Sequence, residues 1–283
     1  MMNGSAPKKD KIKEYWDNRA NQHGSSTTIT TDDTYLRELE VSTIADTFHE
    51  ILSEKGKVLD IGCGDGYSTI RLAELMSNIH FHGIDYSDNM IRSAMERLNS
   101  LPKLNDRVKF SLGDVCNLRK ACGESIFDVV ISDRCLINLE SIESQADAIF
   151  EIADHLREGG YYVAIENFIE GHLNMNGARR SVGLPEIPIR WHNLYFAEGH
   201  FIESTTRFFE IVAFKDFSSS YYFATRVIYA KMCQMRGENP DYKHEIHQLA
   251  VLLPWVGQFS PIRMVVMRRK RKAGNMEKGR SCA

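Results

Sequence analysis

The chain has 283 residues, 43% hydrophobic and 26% charged, the balance of a globular protein long enough to bury a core without disulfide or metal staples. Lys and Arg total 35 against 38 Asp and Glu, so a net charge of −3 gives no general pull toward nucleic acid. Seven basic residues and one acid fall within 268–283, a net of +6, which leaves an acidic body of −9 before Arg268.

The six cysteines, at 63, 116, 122, 135, 233 and 282, form no Cys-x-x-Cys pair and no zinc spacing, so no metal site is expected. Free thiols point to a reducing, cytoplasmic setting. The N-terminus has no apolar stretch for a secretory signal, and no run approaches the ~20 apolar residues of a membrane helix.

Residues 1–32 are polar and read as a mobile lead segment in which Tyr15, Trp16 and Arg19 stand out. Apolar residues at helical spacing predict a helix over 33–52, capped by Asp32 or Asp33. Short apolar runs then alternate with amphipathic stretches. Strands are predicted at 57–62, 80–85, 107–114, 127–132 and 161–167, and helices at 67–76, 89–98 and 146–156. Arg157-Glu158-Gly159-Gly160 reads as a helix stop and turn. Residues 168–195 read as an irregular insertion, 208–217 as a strand, 219–235 and 241–253 as helices, and 261–269 as a last strand. Strands buried on both faces and alternating with helices predict an α/β fold, a mostly parallel sheet with helices on both faces. A single domain is expected over 33–269, with the cofactor half at 55–167, pocket-building insertions at 168–206 and 218–260, and a basic disordered tail at 270–283.

The first strand runs into Asp60-Ile61-Gly62-Cys63-Gly64-Asp65-Gly66 ahead of a helix. Such glycines allow a tight turn and a close backbone approach to a ligand. A dinucleotide loop would carry a third glycine where Tyr67 stands. Asp85 ends the second strand and can accept from both hydroxyls of a ribose; Asp114 ends the third, where its carboxylate and the Val115 N–H can read an adenine edge. Cys63 fits as a small filler of the loop rather than a nucleophile. A side chain at Gly62 is expected to fill the ligand's space.

These residues closely resemble the class I S-adenosylmethionine-dependent methyltransferase family. The likeness rests on Val58–Gly66, Gly83-Ile84-Asp85-Tyr86-Ser87, Gly113-Asp114-Val115, Phe127-Asp128-Val129-Val130 and Leu156–Gly160, and covers about residues 55–170. It implies a Rossmann-like seven-stranded sheet whose last strand is antiparallel, and S-adenosylmethionine as cofactor with S-adenosylhomocysteine as product. It places Gly62 and Gly64 under the methionine part, Asp85 on ribose, Asp114 and Val115 on adenine, and Tyr86 and Met90 beside the adenine ring, with Asp60, Cys63 and Ser132 in the same cofactor-binding set. Tyr15–Ala20 is similar to the start of small-molecule members, where Arg19 pairs with the methionine carboxylate and Trp16 faces the sulfonium; the alternative for Trp16 is packing on the sheet edge.

No acid or amide followed by two prolines stands after the fourth strand, which argues against base methylation in nucleic acid. Arg134 either approaches the cofactor or an anionic acceptor, or forms a surface salt bridge. The acceptor is expected beyond the fifth strand, where His192, Glu166 and His172 are the candidates to take a proton from a hydroxyl; a structural histidine is the other reading of His192. Methyl transfer to a small molecule is therefore expected, by O-methylation of an acceptor such as a sugar or polysaccharide precursor, with no nucleic-acid or membrane partner. N-methylation of a small amine is the alternative, and a nicotinamide-dependent oxidoreductase the rival from another class.

Overall fold

The computed structural model describes residues 7–271 apart from 24, 25, 27 and 54. Strands β1 (Gly56–Ile61), β2 (Ile79–Asp85), β3 (Val108–Leu112), β4 (Phe127–Asp133), β5 (Leu156–Asn167), β6 (Phe209–Lys215) and β7 (Ile262–Arg269) form one sheet in the order β3-β2-β1-β4-β5-β7-β6. The first five strands pair in parallel, and β7 runs antiparallel to both neighbours, β5 and β6. Successive side chains alternate between two cores, as the period of two requires. Val58, Phe81, Val129 and Val163 face one core, shared with α2 (Thr34–Ile51), α3 (Tyr67–Leu75) and α4 (Asp88–Asn99). Leu59, Ile61, Val130 and Ala164 face the other, with α5 (Leu118–Cys122), α6 (Ile142–His155) and α8 (Glu198–Thr206). Asp33 caps α2, accepting the Leu36 N–H at 3.1 Å.

Several expectations are corrected. Part of the supposed mobile lead is helix α1 (Lys8–His23), which packs on α4 with Ile12 and Ala20 buried. Arg157–Gly160 is no turn after a helix but an irregularity inside β5, whose pairing with β4 slips between Phe127 and Val129. Within the supposed irregular insertion lies helix α7 (Ile169–Ser181). The helix expected over 241–253 shrinks to α11 (Ile246–Ala250). Residues 219–235 form a helix in three parts: α9 (Ser219–Tyr222), a π-turn over Phe223–Tyr229, and α10 (Ala230–Arg236). Of the expected basic tail, 272–283 lie outside the described residues. Among the described residues no helix is long and apolar enough to cross a membrane.

Asp65, in the glycine turn, is fully buried and accepts from Arg37 of α2 at 2.5 Å and from Arg97 of α4 at 2.7 Å. Its carboxylate thus ties two helices to the turn that connects β1 to α3. Asp65→Ala removes the acid that two largely buried guanidiniums share and is expected to lower unfolding free energy by about 3–5 kcal/mol in urea titration. A loss under about 1 kcal/mol would give this triad no more weight than an exposed ion pair.

Candidate active site

A cavity of about 330 Å³ opens at the carboxyl ends of β1, β2, β4 and β5, where open α/β sheets hold ligands. Its inner wall is the glycine turn. Gly62, Gly64 and Gly66 have φ of 68°, 53° and 71°, a region costly for any side chain. A Cβ on Gly62 would stand 2.5 Å from Cys135 Sγ, and one on Gly64 3.0 Å from Thr30 Cγ2. A side chain at Gly62 therefore strikes Cys135 first, which corrects the expectation that it would intrude mainly on the ligand.

Asp85 braces this turn. Its Oδ2 accepts the Gly64 N–H at 3.0 Å and its Oδ1 the Ser87 N–H at 2.9 Å. Burial pushes its carboxyl up to about 6 against those two hydrogen bonds. Each oxygen keeps a second lone pair, so the carboxylate can brace the turn and still receive two ribose hydroxyls. Asp60 also lines the cavity; it is buried, accepts the Thr69 hydroxyl and is pushed up to about 7 by burial.

Cys63, Tyr86, Met90 and Trp16 all line the cavity. Burial holds the Cys63 thiol well above its ordinary value, so it is a filler. Trp16 combines both of its readings, packing with Ala20, Ile29 and Met90 while facing the cavity. Arg19 does not line it. Its guanidinium donates to the carbonyls of Ile29 at 2.7 Å and Thr28 at 3.0 Å, and so shapes the segment from which Thr30 and Thr31 reach the cavity. Asp114 and Val115 also stand off the cavity wall. Asp114 holds Lys9 of α1 at 2.5 Å and caps the Cys116 N–H, while Val115 packs into the core.

The proton-acceptor candidates separate. Glu166 is fully buried outside the cavity wall and accepts from the Ser132 hydroxyl at 2.8 Å and the N–H groups of Leu136 and Ile137 at 3.0 and 3.3 Å. Its expected catalytic place is corrected: it pins the turn after β4. Ser132, bonded to Tyr162 as well, belongs to the same support rather than to the cavity lining. His172 and His192 do line the cavity. Asn176 exchanges both amide ends with the Ile187 backbone, so its Nδ2 donates to His172 Nε2 at 3.1 Å and the His172 ring proton sits on Nδ1. His192 stacks on Tyr15 with centroids 4.5 Å apart and lies 5.7 Å from Trp16. Burial, then Arg190 and Lys8, push it down to about 4, so it is neutral at neutral pH.

Tyr222, Arg226 and Tyr242 also line the cavity and carried no sequence signal. Tyr222 and Arg226 reach the cavity from α9 and its π-turn, and Arg226 pairs with Asp33 while lying 4.9 Å from the Tyr242 ring centre. Arg134, at φ 55°, lines the cavity and pairs with fully buried Glu40 at 2.9 Å, so its salt bridge is an interior one. Burial lifts Glu40 to about 8 despite Arg134. Arg226 is set by a π-turn and Arg134 by a strained backbone; neither shows as a motif.

A family profile described as a methyltransferase domain matches residues 52–178. The chain is 29% identical over 126 residues to a carboxy-S-adenosyl-L-methionine synthase of Campylobacter curvus, covering 44% of this chain and 50% of that protein. It is 34% identical over 103 residues to phosphoethanolamine N-methyltransferase 2 of Caenorhabditis elegans, covering 36% and 22%. The matched stretches thus span half or less of these relatives. In fold, the chain is similar to magnesium protoporphyrin IX methyltransferase from Synechocystis PCC 6803 solved with S-adenosylhomocysteine, at a TM-score of 0.60 and 14% identity over 93% of this chain and all of that one. The N-methyltransferase NodS from Bradyrhizobium japonicum, also with S-adenosylhomocysteine, gives 0.56 at 14% identity over 92% and 99%.

Asp85 must be ionised to accept two hydroxyls, so S-adenosylhomocysteine affinity is expected to fall as pH drops through about 6. Calorimetry is expected to show roughly tenfold weaker binding at pH 5 than at pH 7, and a weaker, pH-flat response in Asp85→Asn. The sign for stability is opposite. A folded-state pKa above the unfolded one favours the protonated fold, so the contribution of Asp85 to stability rises as pH falls from about 6 toward 4.

Proposed function

Residues 52–178 belong to the class I S-adenosylmethionine-dependent methyltransferase family, and on that premise we propose that the chain transfers a methyl group from S-adenosylmethionine to a small-molecule acceptor. The observation that carries this is one cavity lined both by the left-handed glycine turn braced by buried Asp85 and by His172, His192, Tyr222 and Arg226. When bound, the cofactor supplies a methyl group made electrophilic by the sulfonium.

Asp85 takes the ribose, and Gly62 and Gly64 let backbone approach the methionine part. The Trp16 ring offers a face to the cation. Asp114 and Val115 reach adenine once Lys9 lets go, and that pair, with side chains 47% and 33% exposed, holds by no more than about 1 kcal/mol. Arg19 acts at one remove, by fixing the strand of backbone that carries Thr30 and Thr31. Relatives named for phosphoethanolamine, demethylmenaquinone and malonyl-[acyl-carrier protein] support a small or carrier-borne acceptor. The nicotinamide rival finds no support, since Tyr67 keeps the place of a third glycine.

Methylation of a hydroxyl oxygen, a sugar's included, requires a base, and His192 is the candidate for it that lines the cavity. A ring held near 4 and stacked on Tyr15 is poorly matched to that task, so catalysis here rests on positioning and exclusion of water. Tritium transfer from labelled S-adenosylmethionine into small molecules tests the function itself. His192→Phe keeps a ring against Tyr15 and Trp16 and is expected to retain turnover within about tenfold. A loss of ~10²–10⁴ with unchanged S-adenosylhomocysteine affinity would instead assign His192 as the base of an oxygen acceptor.

A further inference from the structure

One short stretch, 187–195, supplies much of the cavity wall: Ile187, Pro188, Arg190, His192, Asn193 and Tyr195 all line it. It is irregular backbone, yet both ends are pinned. Asn176 accepts the Ile187 N–H through Oδ1 and donates to the Ile187 carbonyl through Nδ2, each at 3.0 Å. At the far end Gln145 Nε2 donates to the Leu194 carbonyl at 3.0 Å, and the Leu194 N–H donates to the Ile137 carbonyl at 2.6 Å. Between them the Asn193 N–H closes a turn on the Arg190 carbonyl at 3.0 Å. The backbone that carries Arg190 is therefore fixed.

Arg190 differs from the other arginines on this wall. Arg226 pairs with Asp33, Arg134 with Glu40, and Arg37 with Asp65. The Arg190 guanidinium has no acid and no hydrogen-bond acceptor among the described residues, and no acid stands within 187–195. Its side chain is exposed while lining the cavity, so a ligand there meets it without displacing a partner. Arg134 adds a second open donor. Its Nε meets Asp133 at 3.5 Å and its Nη2 meets Glu40 at 2.9 Å, which leaves Nη1 without a partner on a side chain 25% exposed. Both guanidiniums act on one phenol: burial pushes Tyr195 up, and Arg190 and Arg134 pull it back down.

A cation on the wall of a cavity draws anions, because the field concentrates where low-dielectric walls exclude water. The guanidinium fork matches the paired oxygens of a carboxylate or a phosphate. The carboxylate of the cofactor is the competing partner. Its methionine part belongs on the glycine turn, however, and the side chain set against Gly64 is Thr30, 3.0 Å from the Cβ position, rather than one from 187–195.

Resting on the methyltransferase reading, we propose that Arg190 binds an anionic group of the acceptor, a carboxylate or a phosphate, and so selects acidic small molecules. Binding of this kind orients the acceptor without entering the bond-making step, so it acts on KM rather than on kcat.

The test uses the full chain, tritiated S-adenosylmethionine and an ultrafiltered bacterial small-molecule extract, split beforehand on a strong anion exchanger at pH 8. Label is expected in the retained fraction, with about tenfold less or lower still in the flow-through. Treatment of the retained fraction before assay tells the two anions apart. Loss of labelling after alkaline phosphatase assigns a phosphate monoester; survival there, with loss after carbodiimide–amine capping, assigns a carboxylate. With the acceptor purified from that fraction, Arg190→Ala is expected to raise KM by about tenfold or more with kcat within about threefold, and Arg190→Lys to recover part of the loss. S-adenosylhomocysteine affinity is expected to stay unchanged in both, which also shows that the variants fold. Weakened S-adenosylhomocysteine with unchanged 5′-methylthioadenosine, which lacks the amino-acid part, would move Arg190 to the cofactor and overturn the proposal. Label in the flow-through at or above the retained level, or an unmoved KM in Arg190→Ala, would overturn it and leave methyl transfer standing. No label in either fraction, from protein that binds S-adenosylhomocysteine, would sink the small-molecule methyltransferase reading and the anion with it.

Discussion

One buried residue, Asp85 at the end of β2, holds three neighbouring segments in place. Through its side chain, Asp85 receives the N–H groups of Gly64 and Ser87, and through its carbonyl that of Gly113 at 2.9 Å. The turn after β1, the start of α4 and the end of β3 are thereby fixed against a single residue. α1 leans on the same place, since Asp17 accepts the Ser87 hydroxyl. The cavity has its shape because these ends cannot move separately.

The acids around that cavity are held against their own preference. Burial lifts Glu40 to about 8, Asp60 and Glu166 to about 7, and Asp85 to about 6. Each is kept by donors: an arginine for Glu40, a threonine hydroxyl for Asp60, two backbone N–H groups and a serine for Glu166. Such networks add little to net stability compared with apolar packing, but they fix geometry because any partial break leaves a charge uncompensated. The site is built from groups that must all be satisfied together.

The parallel strands were legible because Val58-Leu59 or Val129-Val130 can be buried only between two helical layers. The glycine turn and Asp85 were legible because a tight left-handed turn and the acid that braces it demand those residue types at those places. Helix α7 was not. Gly171 and Gly177 read as breakers, yet a Cβ on Gly171 would lie 1.8 Å from the Ser260 carbonyl oxygen, so that glycine lets the helix touch backbone. Helix α1 hid for another reason: its charged face is matched by Asp114 and Asp88, far along the chain. The cavity wall joins Asp33 to Arg226, a pairing that no local pattern announces.

The π-turn over Phe223–Tyr229 carries one residue more than an α-helix of the same rise would need. Deleting a single residue there would restore regular spacing and swing everything beyond it by about 100°. Arg226 could keep Asp33, or Cys233 could keep its buried place in α10, but both could not hold at once. Single-residue insertions and deletions in this helix would therefore change the cavity wall at Tyr222 and Arg226 while leaving the glycine turn untouched.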